Sequence, residues 1–589
     1  MRLSDRATLV ALGGVLGYAA FRWGGVERPD QYVYLLALGV LAIVVTLGRS
    51  RDERAPLPGL VVRWAAALLP AYVLFQVLPL PVALLRVLSP ARAEGVAALE
   101  PIGAKVNFAS LSVSPAATFQ SFLLVCGYVI IFLVVRELTW RFGRLRVAPP
   151  FRAAHAGLKP GATSNAALKG GATVSQSEAL RFEGSCWLAV WPIVAIGAFE
   201  AALGLWQYFG GAGEQVGRGT YVNRDHYAGF LEMALPFAVM YPVALLRRAR
   251  RREYSQSTID DRQSSIVLGR YCLTPDTRHL EPARLRSRWY SLTPDTRHLE
   301  PARLRSRWYS LTPDTRHLKP AGLRSWWYSL TPDTRHLKPA RLRSWWYSLT
   351  PDTRHLKPAL WACAVWALAA LMFAGIVFSL SRMGFIATLF SLFVMGTLAF
   401  GTRQLNWVVC SRKRQAGAVG MVATLVLAGL LFLPPDKLIL RFAQIASVVG
   451  LTAEGRINLW AETIPLVRAY PFFGCGLGGY ETAFWRFNVA GPLVTDDFAH
   501  NDYLQLLAEL GLVGFAIGAT LAFSVVRMAV RRAVSSADPG ARYLAVAGAG
   551  ALAAILLHSL ADFNLYIPAN AMLLAWIAGT VDFRLTIVD

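Results

Sequence analysis

The chain has 589 residues, 55% of them hydrophobic, and a mean hydropathy of +0.40. That is too apolar for an ordinary soluble domain and, with apolar runs recurring near membrane-spanning length, specifies an all-helical polytopic membrane protein. The net charge of +24 would suit a nucleic-acid partner, but the basic residues fall between apolar runs rather than on one face, so nucleic acid is excluded. Residues 247–358 alone carry 24 Lys+Arg and 10 Asp+Glu, a net +14, and positive-inside bias accounts for most of the rest.

Twelve spans are expected, near residues 7–21, 31–47, 59–80, 117–137, 185–208, 226–246, 359–380, 383–400, 416–434, 502–525, 543–560 and 566–583. The first, preceded by Arg2 and Arg6, resembles a signal peptide but lacks a convincing cleavage site, so it is read as retained. Arginine-rich loops follow alternate spans: Arg49 to Arg54, Arg141 to Arg152, Arg247 to Arg252, Arg403 to Arg414, and Arg527 to Arg532. All five fall on one side, with both termini, which makes that side cytoplasmic. The chain then divides into an N-terminal membrane region of about six spans (1–246), a basic cytoplasmic insertion (247–358), spans seven to nine (359–434), a long outward loop (435–500) and spans ten to twelve (501–589).

The insertion holds a 19-residue repeat beginning at Leu273, Leu292, Leu311, Leu330 and Leu349, the last copy truncated. Two prolines per copy oppose a continuous helix, so it reads as a flexible segment without catalytic role, able to touch anionic headgroups of membrane lipids through its arginines. It supplies five of the nine histidines. The six cysteines show no CxxC spacing, so neither a disulfide framework nor a zinc site is expected.

The outward loop carries five Lys+Arg and six Asp+Glu, and Ile457, Trp460, Ile464 and Val467 recur at three- and four-residue steps across 454–470. That spacing predicts an amphipathic helix lying on the membrane and ended by Pro471. A glycine-rich turn, Pro471 to Gly479, follows, and consecutive amides there would form an anion-binding concavity at Gly474 and Gly476. With Arg456, Arg468 and Arg486 near it in sequence, the turn reads as a diphosphate cradle, since guanidinium groups bind phosphate oxygens bidentately.

Of the histidines outside the repeats, His155 lies in a basic loop, His558 in the eleventh span, and His226 and His500 at outward helix starts. A lone histidine is ordinarily structural. His500 differs by its company, standing before Asn501 where the loop becomes a span. The macrodipole at a helix start disfavours imidazolium and leaves a neutral ring able to accept a proton, as a general base requires. Two other outward pieces fit the same picture: the segment from Gly217 to Phe230, with Arg218 and Asn223, and the tight turn Ser379 to Gly384, whose Arg382 needs a partner near the hydrocarbon. Asp496 and Asp497 keep a metal-bridged variant open. A transporter is the competing class, because Glu200, Glu232 and Glu509 lie within spans. Those carboxylates would equally line a polar acceptor cavity.

These residues resemble the O-antigen ligase family, which also includes lipid-linked glycan polymerases and protein O-oligosaccharyltransferases. The match is His-Asn, nine residues, then Gly-x-x-Gly, here His500, Asn501, Gly511 and Gly514, joined by Gly455-Arg456-x-x-x-Trp460, the Pro-Phe-Phe-Gly-x-Gly turn, the Ser-Arg-x-Gly turn and the Asn223 segment. It runs from about Ala201 to Asn564 and skips the repeats. The resemblance implies a multispanning glycosyltransferase (GT-C-like) fold in the bacterial inner membrane, with an active site facing the periplasm and no cofactor or metal. The donor would be a glycan on undecaprenyl diphosphate, and the acceptor a hydroxyl on lipid A core, protein or another glycan. His500, Arg456 and Arg382 become the expected catalytic residues, with Arg218, Asn223, Arg468, Gly474, Gly476, Arg486, Asn501 and Glu509 around the substrates.

Overall fold

The computed structural model describes residues 3–48, 54–102, 105–144, 185–210, 216–271, 356–400, 453–489, 497–536 and 538–582. Two compact units are present, Met1–Arg248 with Ala359–Asp589, and Ala249–Pro358. The repeats, the ninth expected span (416–434), His155 and Asp496 lie outside the described residues.

The described residues are almost wholly helical. In order the helices are α1 (Leu3–Phe21), α2 (Arg28–Leu47), α3 (Leu60–Val77), α4 (Val82–Leu88), α5 (Pro90–Ala97), α6 (Pro115–Arg144), α7 (Trp191–Phe209), α8 (Arg224–Tyr271), α9 (Leu356–Phe378) and α10 (Arg382–Phe400). They continue with α11 (Ala453–Ala469), α12 (Tyr480–Phe484), α13 (Asp502–Ser535), α14 (Pro539–His558) and α15 (Pro568–Val581). A two-residue antiparallel ladder, Leu80 opposite Ala109 and Pro81 opposite Phe108, is the only sheet among the described residues.

Nine helices among the described residues are long and apolar enough to cross a membrane, and each falls on one of the twelve expected spans. The other two expectations that can be compared differ. Helix α1 forms, but Asp5 and Arg6 in its first turns make it too polar to count among the nine, and Asp5 is buried against Arg141 at 3.3 Å. The last span shortens to the 14 residues of α15, because a 3-10 turn at Asn564–Tyr566 precedes Pro568 and delays the helix start.

Burial ranks the spans. The α14 window is 83% buried and that of α8 72%, against 28% for α2, α3, α10 and α13, so α14 and α8 are central and the others turn apolar faces outward. Small residues put α14 there: a Cβ on Gly550 would lie 2.5 Å from Met395 of α10, the close approach that drives helix association in lipid. Its start is capped by Asp538, which accepts from the Ala541 amide at 2.7 Å, with Pro539 in the first turn.

The end of the bundle holding the α14 start is tied by closed polar pairs. Arg136 meets Asp582 at 2.8 Å and also donates to the Pro56 carbonyl, Arg532 donates to the Val581 carbonyl, and the Trp187 indole donates to Gly540 O at 3.1 Å. The opposite end, where α13 and α15 start and α14 stops, holds the functional candidates.

Candidate active site

Helix α13 is not continuous. Gly511 sits at φ +61°, ψ −175° and breaks it nine residues after its start, so the Gly-x-x-Gly of Gly511 and Gly514 begins at a break in the helix. The freed backbone groups are taken up by the glycine turn: the amides of Cys475 and Gly476 donate to Ala508 O and Glu509 O at 3.0 Å each, while the amides of Leu512 and Val513 donate to Pro471 O and Phe472 O at 2.8 and 3.1 Å. From α3, the Tyr72 hydroxyl donates to Leu510 O at 2.6 Å, and the Gln76 amide donates to Phe473 O and Glu509 O at 2.7 and 2.9 Å. No room remains for side chains, since a Cβ on Gly511 would lie 2.4 Å from Phe472 and one on Gly474 2.1 Å from Glu509 O. The two glycine motifs, separate in sequence, are halves of one joint.

This changes the reading of the turn. Its amides are not left for an anion: those of Gly478 and Tyr480 donate to the two Glu509 carboxylate oxygens at 2.8 and 3.0 Å, and that of Leu477 donates to Gln76 Oε1 at 3.2 Å. The Tyr566 hydroxyl gives Glu509 a third donor at 2.8 Å. Gly474 and Gly476 therefore shape the joint, and Glu509 is a buried brace for it rather than the wall of an open cavity.

His500 lies immediately before α13. Asn501 caps the helix, its side-chain oxygen accepting from the amides of Tyr503 and Leu504 at 3.1 Å each. His500 itself adopts φ +49°, a left-handed conformation costing about 1–2 kcal/mol for a residue with a side chain. Neighbours hold it there. The Trp460 indole donates to Ala499 O at 2.9 Å, Gln505 Oε1 accepts from the Ala499 amide at 2.9 Å, and the Asp502 amide donates to Ser559 O at 2.9 Å and Asp562 O at 3.1 Å.

The strained backbone aims His500 at Asp562. Nδ1 lies 3.4 Å from Asp562 Oδ1, leaving Nε2 as the nitrogen that Asp562 does not engage. His226 approaches Oδ2 of the same carboxylate at 3.6 Å and His558 at 3.9 Å, so all three described histidines converge on one aspartate. Phe563 wedges between two of the imidazoles, its ring centroid 4.5 Å from His226 and 4.8 Å from His500, and stacks on Phe498 at 4.1 Å. Burial pushes the Asp562 carboxyl up, but the three surrounding histidines outweigh it and hold the group well below the usual carboxylate range.

Two arginines stand on elements that pack beside this region. Arg456 stands one turn before Trp460 on α11, whose indole holds the residue preceding His500. It is half-buried, and its Nε is enclosed without a hydrogen-bond partner among the described residues. Arg382 opens α10 after Ser381, whose Oγ accepts from the Gly384 amide at 3.1 Å. Gly384 seats that turn on the first turn of α8, two residues past His226: a Cβ there would lie 2.5 Å from Ala228. Leu380 in this turn has φ +55°, so two of the three described non-glycine residues at positive φ adjoin or are expected catalytic groups.

The remaining expected residues are less central. Arg218 is half-buried in the turn before α8, its amide donating to Gln207 Oε1 at 3.1 Å. Asn223 uses its side-chain oxygen on the Asp225 amide at 2.9 Å and so starts α8. Arg468 is exposed, and Arg486 is an exposed partner of Glu94 at 3.4 Å. On α11, Leu459, Thr463, Leu466 and Tyr470 are buried against the protein, while Ile457 and Ile464 of the expected apolar face are exposed. Asp497 is exposed. Of the three span carboxylates behind the transporter reading, Glu200 accepts from Thr220 and Glu232 pairs with His558, as Glu509 does with its turn. Sequence reasoning missed Asp562 and its link to His226 and His558. The available signal was the four-residue spacing of His558 and Asp562 across a helix end.

Fold and site define a polytopic helical membrane protein with a carboxylate-backed histidine, His500, at the start of a broken span. Residues 367–519 match the family model described as O-Antigen ligase, which supports the resemblance to ligase or glycosyltransferase-type enzymes. Among curated proteins, none matches the chain. The matched segment contains Arg382, Arg456, the glycine turn and His500. Asp562, His226 and His558 lie beyond it.

Proposed function

We propose that the protein is an inner-membrane glycosyltransferase that moves a glycan from undecaprenyl diphosphate to an acceptor hydroxyl on the periplasmic face. The observation that carries this reading is the His500–Asp562 contact at 3.4 Å, held by a strained backbone inside the matched domain. His500 Nε2 takes the acceptor hydroxyl proton while that oxygen attacks the anomeric carbon. The bond from that carbon to the diphosphate oxygen breaks, and the diphosphate leaves with its electron pair. Asp562 stabilises the imidazolium as it forms, and Arg456 and Arg382 stabilise charge on the departing diphosphate. One displacement inverts the anomeric centre, and the guanidinium pair takes the role a metal would otherwise fill.

The same donor site serves a polymerase, with a second lipid-linked unit as acceptor, so product identity separates the two: glycan on lipid A core or protein against a longer lipid-linked chain. The full set of about twelve spans and a GT-C-like arrangement belong to this reading. The test is transfer in vitro from a lipid-diphosphate glycan, with and without chelator, by native protein and His500→Ala. Transfer by native protein that survives chelation and disappears in the variant is expected. Transfer by the variant at the native rate would end the reading.

A further inference from the structure

Behind Asp562 the polar cluster continues into the centre of the bundle. His558, the last residue of α14, presents Nε2 to Asp562 Oδ2 at 3.9 Å and Nδ1 to both Glu232 carboxylate oxygens at 3.1 Å. The side chains of His558 and Glu232 are fully enclosed. Glu232 lies six residues after His226 on α8, so one central helix supplies both an imidazole on Asp562 and the carboxylate behind His558. The row reads carboxylate, imidazole, carboxylate, imidazole from the bundle interior to His500.

We propose that Glu232 and His558 are positioning residues for the base, Glu232 fixing the plane of the His558 ring, and His558 fixing the Asp562 carboxylate on His500 Nδ1. The proposal deepens the transferase reading and rests on it for its kinetic readout alone. Its physical ground is that neither Asp562 oxygen makes a well-aligned hydrogen bond to any described residue. The carboxylate is held by charge and by the rings around it, not by a directed bond, so whatever orients those rings orients Asp562. Glu232 meets Nδ1 with both oxygens and leaves the other ring nitrogen facing Asp562. A ring with a carboxylate facing each nitrogen carries two N–H groups, one donated to Glu232 and the other directed at Asp562 across 3.9 Å without an aligned bond. Two carboxylates around one such ring leave a single negative charge beside His500, the charge that a proton arriving on His500 neutralises. Without Glu232, the His558 ring loses the partner that keeps it facing Asp562.

The test uses the full chain in detergent or nanodiscs, with Glu232→Gln and His558→Gln made singly and combined with Asp562→Asn. Two quantities are read: kinetics of transfer, and the rate at which diethyl pyrocarbonate modifies His500, located by peptide mass spectrometry. The second needs no donor, so it stands whether or not the protein is a transferase. We expect each single variant to lower kcat about tenfold or more with donor KM within about twofold. His500 modification slows several-fold in step, and neither variant adds to the loss already caused by Asp562→Asn, because residues acting through one group are not additive. Modification of His500 at the native rate, or losses that multiply with Asp562→Asn, overturns the proposal. If neither single variant accumulates as folded protein, the pair belongs to the scaffold and the proposal falls.

Discussion

The glycine turn and the histidine cluster are both buried and polar, yet they differ in how their polar atoms are used. In the turn, every amide from Gly474 to Tyr480 donates a hydrogen bond, to α13, to Gln76, to Tyr470 O just before the turn or within the turn itself. In the cluster, His226 Nε2, His500 Nδ1, His558 Nε2, both Asp562 oxygens and Asn564 Nδ2 are enclosed without an aligned partner among the described residues. A scaffold closes its hydrogen bonds, whereas groups that must exchange a proton are left short of them. The contrast fits the proposed division of the turn as support and the cluster as chemistry, and substitutions on each side test it.

The largest effect falls on His500. His500→Ala removes the base and keeps a Cβ at the left-handed position, so the backbone strain is not relieved; the contacts that hold residues 499–502 stay in place and the variant should still fold, while transfer drops by roughly a thousandfold or more. Folding is read by protease resistance and size-exclusion in detergent, and transfer by product formation. A variant that folds and transfers normally moves the base elsewhere.

Asp562→Asn comes next. The amide keeps the shape of the site and removes the charge facing His500, so kcat should fall about a hundredfold with substrate KM little changed. The native carboxyl is held below its ordinary value, so its stabilising effect is present above the unfolded value of about 3.9 and is lost only as pH falls through the lower folded value. Between about pH 5 and 8 the native group therefore stays charged, and the rate lost in Asp562→Asn should be nearly constant across that window. A loss confined to one end of the window would mean that a titrating neighbour, not Asp562, carries the effect. Arg456→Ala should cost a similar order, about a hundredfold in kcat, because its guanidinium acts on charge that appears only as the diphosphate departs.

Sequence reading reached these residues unevenly, for physical reasons. Helix positions were legible because apolar runs of spanning length announce themselves: all nine apolar spans among the described residues were expected. His500, Arg456 and Arg382 stood out by their neighbours. The break at Gly511 was not legible, since nothing in a run of apolar residues reveals which carbonyls a turn thirty-five residues upstream will take. Glu509 read as a cavity wall because a carboxylate in a span shows its cost and not its partners. Asp562 was passed over because its significance is spatial: His226, His500 and His558 are separated by hundreds of residues or by a whole helical hairpin, and only packing brings them to one carboxylate.

The smallest effect on catalysis belongs to Gln76, on the scaffold side of the comparison. Its amide nitrogen serves Phe473 O and Glu509 O at the helix break, and its oxygen accepts from the Leu477 amide at 3.2 Å. Gln76→Leu keeps the volume, leaves the Leu477 amide without its partner and takes one of two donors from each of the two carbonyls, which keep Tyr72 and the Gly476 amide; this should lower stability by about 1–3 kcal/mol and depress the thermal midpoint in detergent. His500 is held from other directions, by Trp460 on Ala499 and by the Asp502 amide on Ser559 and Asp562. Transfer per folded molecule should therefore stay within about twofold of native. A Gln76→Leu protein that melts normally but transfers slowly would place the glycine turn in the reacting site, and the division between closed support and open chemistry would have to be redrawn.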